Sequence, residues 1–248
     1  MKAVVYTQYG PPEVLHVQEM DKPVPGAKEV LVKIYAASVN YGDLTGRNFK
    51  NIPARQFHMS RLLWFPAKLM FGLNKPRQNV LGSEFSGRIE SVGAEVKKFK
   101  AGDEVFGYRG QSMGAYAQYL CMPESATLAL KPVNISNEEA AVIPYGAIMS
   151  LNLMKKVNIQ SGQKVLINGA SGSIGSFAVQ FAKYYGADVT GVCGTPRIDF
   201  VKALGADKVI DYRKEDFTRN NEKYDIIFDV LGKSSFAKCK KVLNENGR

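Results

Sequence analysis

The sequence predicts an α/β protein of two domains, an all-β domain followed by one built on a parallel sheet, and three observations carry that prediction. Its 248 residues exceed the usual length of one domain, and with 45% hydrophobic and 23% charged residues the chain can bury a sizeable core. Up to about residue 125, short β-like runs alternate with Gly and Pro. From about residue 135 the rhythm changes to apolar runs followed by helical patterns, the signature of a parallel sheet. The boundary is drawn at residue 128, giving domains 1–128 and 129–248.

In the first domain, residues 30–34 (VLVKI), 88–92 (RIESV) and 115–119 (AYAQY) read as strands. Residues 47–81 read as an insertion that carries Trp64, Phe65, Leu69, Met70 and Phe71. Its apolar side chains are expected to pack on the β-domain, with a lid over an apolar substrate as the alternative. In the second domain the strands are 165–167 (VLI), 189–192 (VTGV), 209–210 (VI) and 226–228 (IIF). After the first of them, Ile174, Phe177, Ala178, Phe181, Ala182 and Tyr185 recur at the spacing of a helix face packed on a sheet. Gly186 follows as the expected C-terminal cap.

A net charge of +10 raises the question of a polyanion partner. The first 128 residues hold 16 Lys+Arg against 11 Asp+Glu and the remainder 17 against 12, so the excess is spread evenly and no basic arm exists. Nucleic acid is therefore not an expected partner. The most apolar stretch, 62–73, is broken by Pro66, Lys68 and Gly72 and falls short of the ~20 residues that span a bilayer. The opening MKAVVYTQYG lacks the apolar run of a signal peptide, and a cytoplasmic location is expected. Three scattered cysteines, Cys121, Cys193 and Cys239, leave one unpaired in any scheme and read as reduced thiols.

The chemistry lies after the strand 165–167, in Gly169, Ala170, Ser171, Gly172, Ser173, Ile174 and Gly175. A buried strand, a glycine turn spaced GxxGxxG and a helix N-terminus together offer free backbone N–H groups and a positive dipole end to a pyrophosphate. A dinucleotide is the expected cofactor. NAD binders place a carboxylate at the end of the second strand, on the ribose hydroxyls. Here that strand runs into Cys193, Gly194, Thr195, Pro196 and Arg197, with no carboxylate. An adenosine 2′-phosphate would meet no repulsion there and could pair with Arg197 and the Thr195 hydroxyl, which favours NADPH. The alternative for Arg197 is a solvated helix residue.

Five segments, 39–43 (VNYGD), 81–87 (LGSEFSG), 101–107 (AGDEVFG), 140–146 (AAVIPYG) and 205–212 (GADKVIDY), occur in the order found in the zinc-independent quinone oxidoreductases and related enoyl or alkenal reductases of the medium-chain dehydrogenase/reductase superfamily. Across nearly its whole length the chain resembles that family. The resemblance implies a GroES-like β-domain, a Rossmann domain, a cleft between them and, commonly, a homodimer. It places Tyr212 beside the 2′-phosphate, and Val230 and Leu231 after the strand 226–228 join the expected cofactor set. It also implies further Rossmann strands after 243–248 (LNENGR), so the second domain is expected to be incomplete at its C-terminus, with an open sheet edge.

Zinc alcohol dehydrogenases share this architecture, but the alignment implied by the resemblance sets Asn40 and Ser83 where they carry the first Cys and the His. Only His16 and His58 occur in the chain, and the four-cysteine lobe is absent. Hydride transfer from NADPH to a quinone, enone, alkenal or carbonyl acceptor without zinc is the expected reaction, a small electrophile being the partner. In the family Asn40 is the recurring polar residue of the cleft; Tyr41 can donate and Asp43 accept. Each has a structural alternative: Asn40 ending a strand, Tyr41 packing on the insertion, Asp43 capping a turn. Two departures stand out, Thr45 where some relatives carry a tyrosine and Met149 where close relatives carry a threonine. The competing function is an NADPH-binding protein without turnover, RNA-binding or redox-sensing like the family's crystallins, or an inactive fragment.

Overall fold

A computed structural model describes residues 1–54 and 60–248; His58, one of the two histidines weighed above, lies outside the described residues. Two compact units result, Met1–Pro144 and Tyr145–Arg248. Residues 129–144, assigned to the second domain from the change of rhythm, are carried by the first unit. The reason is local: β7 (Leu128–Leu130) pairs with β5 (Glu104–Tyr108), and α3 (Asn137–Ala141) packs on β3 (Glu29–Ala37) and β4 (Glu84–Val92).

The first unit opens with a ribbon of β1 (Lys2–Val5) and β2 (His16–Glu19). An antiparallel five-stranded sheet follows, ordered β6-β3-β4-β5-β7, with β6 at Tyr119–Pro123. Its apolar face buries Val30, Val32, Phe85, Ile89 and Val105, β-branched and aromatic residues that suit a pleated, packed surface, together with Leu120 and Met122. The strand expected at 115–119 begins only at Tyr119. Before that the backbone turns away: the Ala115 N–H donates to the Gly82 carbonyl and the Tyr116 N–H to that of Leu81, while the Tyr116 carbonyl accepts from Val4. These bonds go to a loop and to the ribbon, so no ladder forms.

α1 (Tyr41–Arg47) and α2 (Arg61–Phe71) complete the first unit between β3 and β4. The insertion packs only in part. The Phe49 ring lies 4.9 Å from Trp64 and 4.4 Å from Phe71, and the Tyr9 hydroxyl donates to the Phe71 and Gly72 carbonyls. Phe65 and Leu69, by contrast, are exposed.

In the second unit α4 (Ile143–Val157), which begins at the boundary, leads into a parallel sheet ordered β10-β9-β8-β11. The strands are β8 (Lys164–Asn168), β9 (Asp188–Cys193), β10 (Lys208–Asp211) and β11 (Ile226–Asp229). Because the chain runs outward from β8 to β10 and then returns to the other side of β8, the direction of winding reverses between β8 and β11. In such sheets ligands bind outside the carboxyl ends of the strands, at that switch point. α5 (Ser173–Tyr184) covers β8 and β9, burying Ala178, Val179 and Ala182, with Phe181 and Tyr185 packed at the margin of the same core. Gly186 ends it at φ +81°, its N–H donating to the Lys183 carbonyl, the cap expected from its position. α6 (Ile198–Ala203) and α7 (Phe236–Lys240) complete the unit. Among the described residues no helix is long and apolar enough to cross a membrane.

Candidate cofactor site and polar cluster

The glycine loop leaves β8 at Asn168, whose amide donates to the Asp229 carboxylate at the end of β11 (2.9 Å), tying the two strand ends together at the switch point. The three glycines serve different ends. Gly169 has φ +89° and faces Leu231, which stands 3.0 Å from where a Cβ would be. Gly175 lies in the first turn of α5 against the loop backbone; a Cβ there would fall inside contact distance of the Gly169 carbonyl oxygen and 2.9 Å from the Ala170 Cα. Gly172 has neither reason. It is the N-cap of α5 at φ −80° and ψ 169°, an extended conformation any residue adopts, and a Cβ would meet only the Gly169 oxygen at 3.5 Å.

No side chain caps α5. The N–H groups of its first turn, at Ser173, Ile174 and Gly175, have no intrahelical acceptor by construction of the helix, and they point out past Gly172 with the positive end of the dipole. An Asp, Asn or Ser at position 172 would cap the helix better than Gly. A bare, exposed N-cap where the fold itself has room for a side chain is what a phosphate needs for close approach. Ser171 is half-buried beside it, and Ser173 is exposed. These residues fit a bound pyrophosphate.

At the end of β9 the expected residues divide. Cys193 is 1% exposed, with its thiol in the core and its pKa raised by burial and by the nearby Asp211 carboxylate; only its backbone faces outward, its carbonyl accepting from the Tyr212 N–H. Gly194 lies under the Tyr212 phenol, whose oxygen sits 3.0 Å from a Cβ placed there, so a side chain would displace the tyrosine. Thr195, Arg197 and Tyr212 are exposed. Val230 packs into the core margin and Leu231 is exposed against Gly169.

One carboxylate at this level was missed in the sequence. The parallel register sets Asp211, the last residue of β10, opposite Cys193. Its Oδ2 accepts from the Thr195 hydroxyl at 2.6 Å and its Oδ1 from the Arg213 N–H at 3.0 Å. The Thr195 hydrogen bond, with Arg213 and Lys214 nearby, holds the Asp211 carboxyl below the usual range. The end of β9 has no acid, but the neighbouring strand ends in one, buried and hydrogen-bonded to the turn that follows β9.

In the first unit Asn40 does not end a strand; it caps α1. Its Oδ1 accepts from the N–H groups of Gly42 (2.8 Å) and Asp43 (3.3 Å), and Asp43 Oδ2 accepts in return from the Asn40 N–H (3.0 Å), a capping box worth about 1 kcal/mol. The Asn40 amide donates to Ser83 Oγ (2.8 Å) and Glu84 Oε2 (3.2 Å), and the Ser38 hydroxyl donates to the same Glu84 oxygen at 2.6 Å. Asp43, 2% exposed, also accepts from the Gly82 N–H (3.0 Å); burial pushes its carboxyl up, against the pull of the Asn40, Tyr116 and Gly82 donors. Tyr41 is 63% exposed. Thr45 is buried, its hydroxyl donating to the Tyr41 carbonyl, and Met149 lies partly exposed on α4. Among the described residues no group of three His, Cys, Asp or Glu side chains could hold a metal ion.

Comparison with known proteins agrees with both units. Residues 26–132 match the alcohol dehydrogenase GroES-like domain, and residues 173–248 match the family described as zinc-binding dehydrogenase. The quinone oxidoreductase of Coxiella burnetii superposes with a TM-score of 0.83 at 30% identity, over 100% of this chain and 74% of that one. The chain belongs to the medium-chain dehydrogenase/reductase superfamily, in its quinone oxidoreductase group. Within this superfamily it is 35% identical to the 2-methylene-furan-3-one reductase of Solanum lycopersicum and 33% identical to the chloroplastic NADPH-dependent alkenal/one oxidoreductase of Arabidopsis thaliana. All of the chain aligns with each, and it spans 61% of their length. Both matched domains are those expected of the superfamily, a GroES-like β-domain and a Rossmann-like parallel sheet.

Proposed function

We propose that the chain is the GroES-like and NADPH-binding portion of a zinc-independent reductase that transfers hydride to a quinone, enone, alkenal or other carbonyl acceptor. The observation that carries this reading is the uncapped N-terminus of α5 behind Gly172, a glycine whose bareness the fold does not use. In that reading the N–H groups of Ser173, Ile174 and Gly175 hold the pyrophosphate, with Gly169, Ser171, Val230 and Leu231 around it. Arg197 and Tyr212, with the Cys193–Thr195 backbone, meet the adenosine ribose. The bound cofactor supplies the hydride; the protein supplies orientation and the hydrogen bonds that stabilise charge developing on the acceptor oxygen. The names of the tomato and Arabidopsis relatives support an electrophilic alkene or carbonyl as substrate.

The absence of zinc belongs to the same proposal. Asn40 and Ser83, at the positions that in zinc enzymes hold thiolate and imidazole, are hydrogen-bonded to each other, and an amide and a hydroxyl are poor zinc ligands. Mixing the protein with NADPH and a panel of quinones, enals and ketones, before and after dialysis against a chelator, tests the reading. Consumption of NADPH that survives the chelator supports it. Stoichiometric zinc removed together with activity refutes it. A second reading, NADPH binding without turnover, is favoured by one fact: both polar atoms of the Asn40 side chain are committed to Gly42, Asp43, Ser83 and Glu84. Tight NADPH binding with no acceptor consumed would select it. A cytoplasmic location is also proposed, and fluorescence microscopy of the tagged protein checks it.

A further inference from the structure

We propose that the outward face of α2, with the basic residues that flank it, is a docking surface for an anionic lipid bilayer, which the chain meets peripherally and without a span. The surface belongs to the first unit alone and does not depend on the cofactor site.

The charge excess, even between the two halves of the chain, is uneven within the first. Residues 44–83, which contain the insertion, hold seven Lys and Arg and no Asp or Glu, whereas the rest of the first 128 residues hold nine against eleven. This segment therefore carries all of that half's positive excess. Arg55 lies outside the described residues. Lys50, Lys75 and Arg77 are exposed and Lys68 is half-buried, and among the described residues none of these four is in an ion pair.

α2 is anchored on one side and bare on the other. Trp64 is buried against the Phe49 ring, and Phe71 packs on the same ring. The opposite side holds Phe65, 60% exposed, Leu69 one turn later, 41% exposed, and Leu73 just past the helix end, 45% exposed. Lys68, three positions after Phe65, is its neighbour on the helix surface, and its aliphatic stem can lie along the apolar face while the ammonium reaches beyond it. The Arg77 N–H donates to the Phe71 carbonyl (3.0 Å), which brings that residue back to the helix end, and Lys50 follows Phe49 in the short helical turn 49–51. An apolar stripe with cations around it results.

Large apolar side chains clustered in the open mark a binding surface. A nucleic acid would engage the cations but leave Leu69 and Leu73 in water. The boundary between headgroups and acyl chains takes both, with lipid phosphates meeting the cations and Phe65, Leu69 and Leu73 below them.

The test is cosedimentation of the full chain with vesicles of phosphatidylcholine alone and of equal parts phosphatidylcholine and phosphatidylglycerol. The parent should pellet with the anionic vesicles, bind the neutral ones at least about tenfold more weakly, and be released as salt rises from about 0.1 M to about 0.5 M. Trp64, the single tryptophan and the neighbour of Phe65, should lose fluorescence when the acyl chains are brominated. Phe65→Ser with Leu69→Ser, and separately Lys75→Gln with Arg77→Gln, should each weaken binding to anionic vesicles by about tenfold or more while circular dichroism melts stay as in the parent. A parent that ignores the anionic vesicles, or binds the neutral ones equally well, overturns the proposal, and neither result needs a variant. A folded Phe65→Ser, Leu69→Ser variant that pellets like the parent overturns it as well. Single-stranded RNA bound more tightly than the vesicles, and equally by parent and that variant, overturns it in favour of a nucleic acid.

Discussion

Replacing Gly172 by Asp separates the needs of the fold from the needs of a ligand. At φ −80° the residue is unstrained, and its Cβ would touch only the Gly169 oxygen at 3.5 Å, an ordinary contact. As an N-cap, Asp accepts from the first-turn N–H groups and complements the dipole, a gain of a few tenths to about 1 kcal/mol over Gly. The second unit should therefore melt at the same temperature or up to about 5 °C higher. The same carboxylate takes the N–H groups that a pyrophosphate would use and sets a like charge within about 5 Å of it. At an effective dielectric of 20 to 80 that repulsion is about 1–3 kcal/mol per unit charge, and the lost N–H hydrogen bonds add to it, so NADPH should bind at least about tenfold more weakly.

Gly175→Ala is the converse control. Its Cβ would drive into the Gly169 carbonyl and the backbone at Ala170, at a cost of about 2–4 kcal/mol, and the melt should fall by about 10 °C or more. Circular dichroism melts and NADPH titration on both variants give the answer. If Gly172→Asp folds and binds NADPH like the parent, the phosphate site is not here. If it unfolds while Gly175→Ala does not, the division of labour among these glycines is wrong.

Three further outcomes are expected. Arg197→Glu should weaken NADPH by about ten- to a hundredfold while leaving NADH unchanged or tighter, because a carboxylate repels the phosphate and accepts from a ribose hydroxyl; equal losses for both cofactors would contradict it. Asn40→Ser keeps an N-cap oxygen but loses the donor to Ser83 and Glu84 and should cost about 1–2 kcal/mol, read by urea unfolding on the fluorescence of Trp64, the single tryptophan. A folded Asn40→Ser variant as stable as the parent refutes that role. Burial pushes the Asp207 carboxyl up, but the Lys183 ammonium at 2.8 Å and the Val189 N–H at 2.7 Å outweigh it and hold it below the usual range. A depressed carboxylate stabilises above its unfolded pKa of about 3.9 and loses that contribution as pH falls through the folded value. Asp207→Asn should thus cost about 1 kcal/mol at neutral pH and nothing once the parent's carboxylate is protonated, which urea midpoints across pH will show.

Where a sequence pattern reports on its own backbone, the structure follows it. The runs at 165–167 and 189–192, the central strands, are fully buried, those at 209–210 and 226–228 partly so, and their apolar letters mark all four. Gly186 is legible because a helix end needs a residue at positive φ. The alternation at 115–119 misleads for an equally physical reason. Tyr116 and Ala115 look like strand residues, yet their N–H groups bond to Leu81 and Gly82, and no letter of the sequence records where an N–H points. Within the insertion, Trp64 and Phe71 find Phe49 while Phe65 and Leu69 find no cover, because one helix turns only part of its circumference toward the unit.

The same distinction applies to Asn40 and Asp211. The Asn40 side chain makes four of the hydrogen bonds described above, and only the two within its own helix turn could be foreseen from the spacing of Asn40 and Asp43; the other two reach Ser83 and Glu84, more than forty residues away. Asp211 is not legible from the chain around β9, because it lies at the end of β10. In a parallel sheet the ends of neighbouring strands lie side by side, so the residue that confronts Thr195 is the one at the same level on β10, sixteen positions later. Strand register is set by packing between chain segments and not by either segment alone. The charge at a strand end in a sheet of this kind therefore depends on the last residue of each adjoining strand. Here that residue is Asp211, whose carboxylate accepts from the Thr195 hydroxyl and the Arg213 N–H and so ties the end of β10 to the turn after β9.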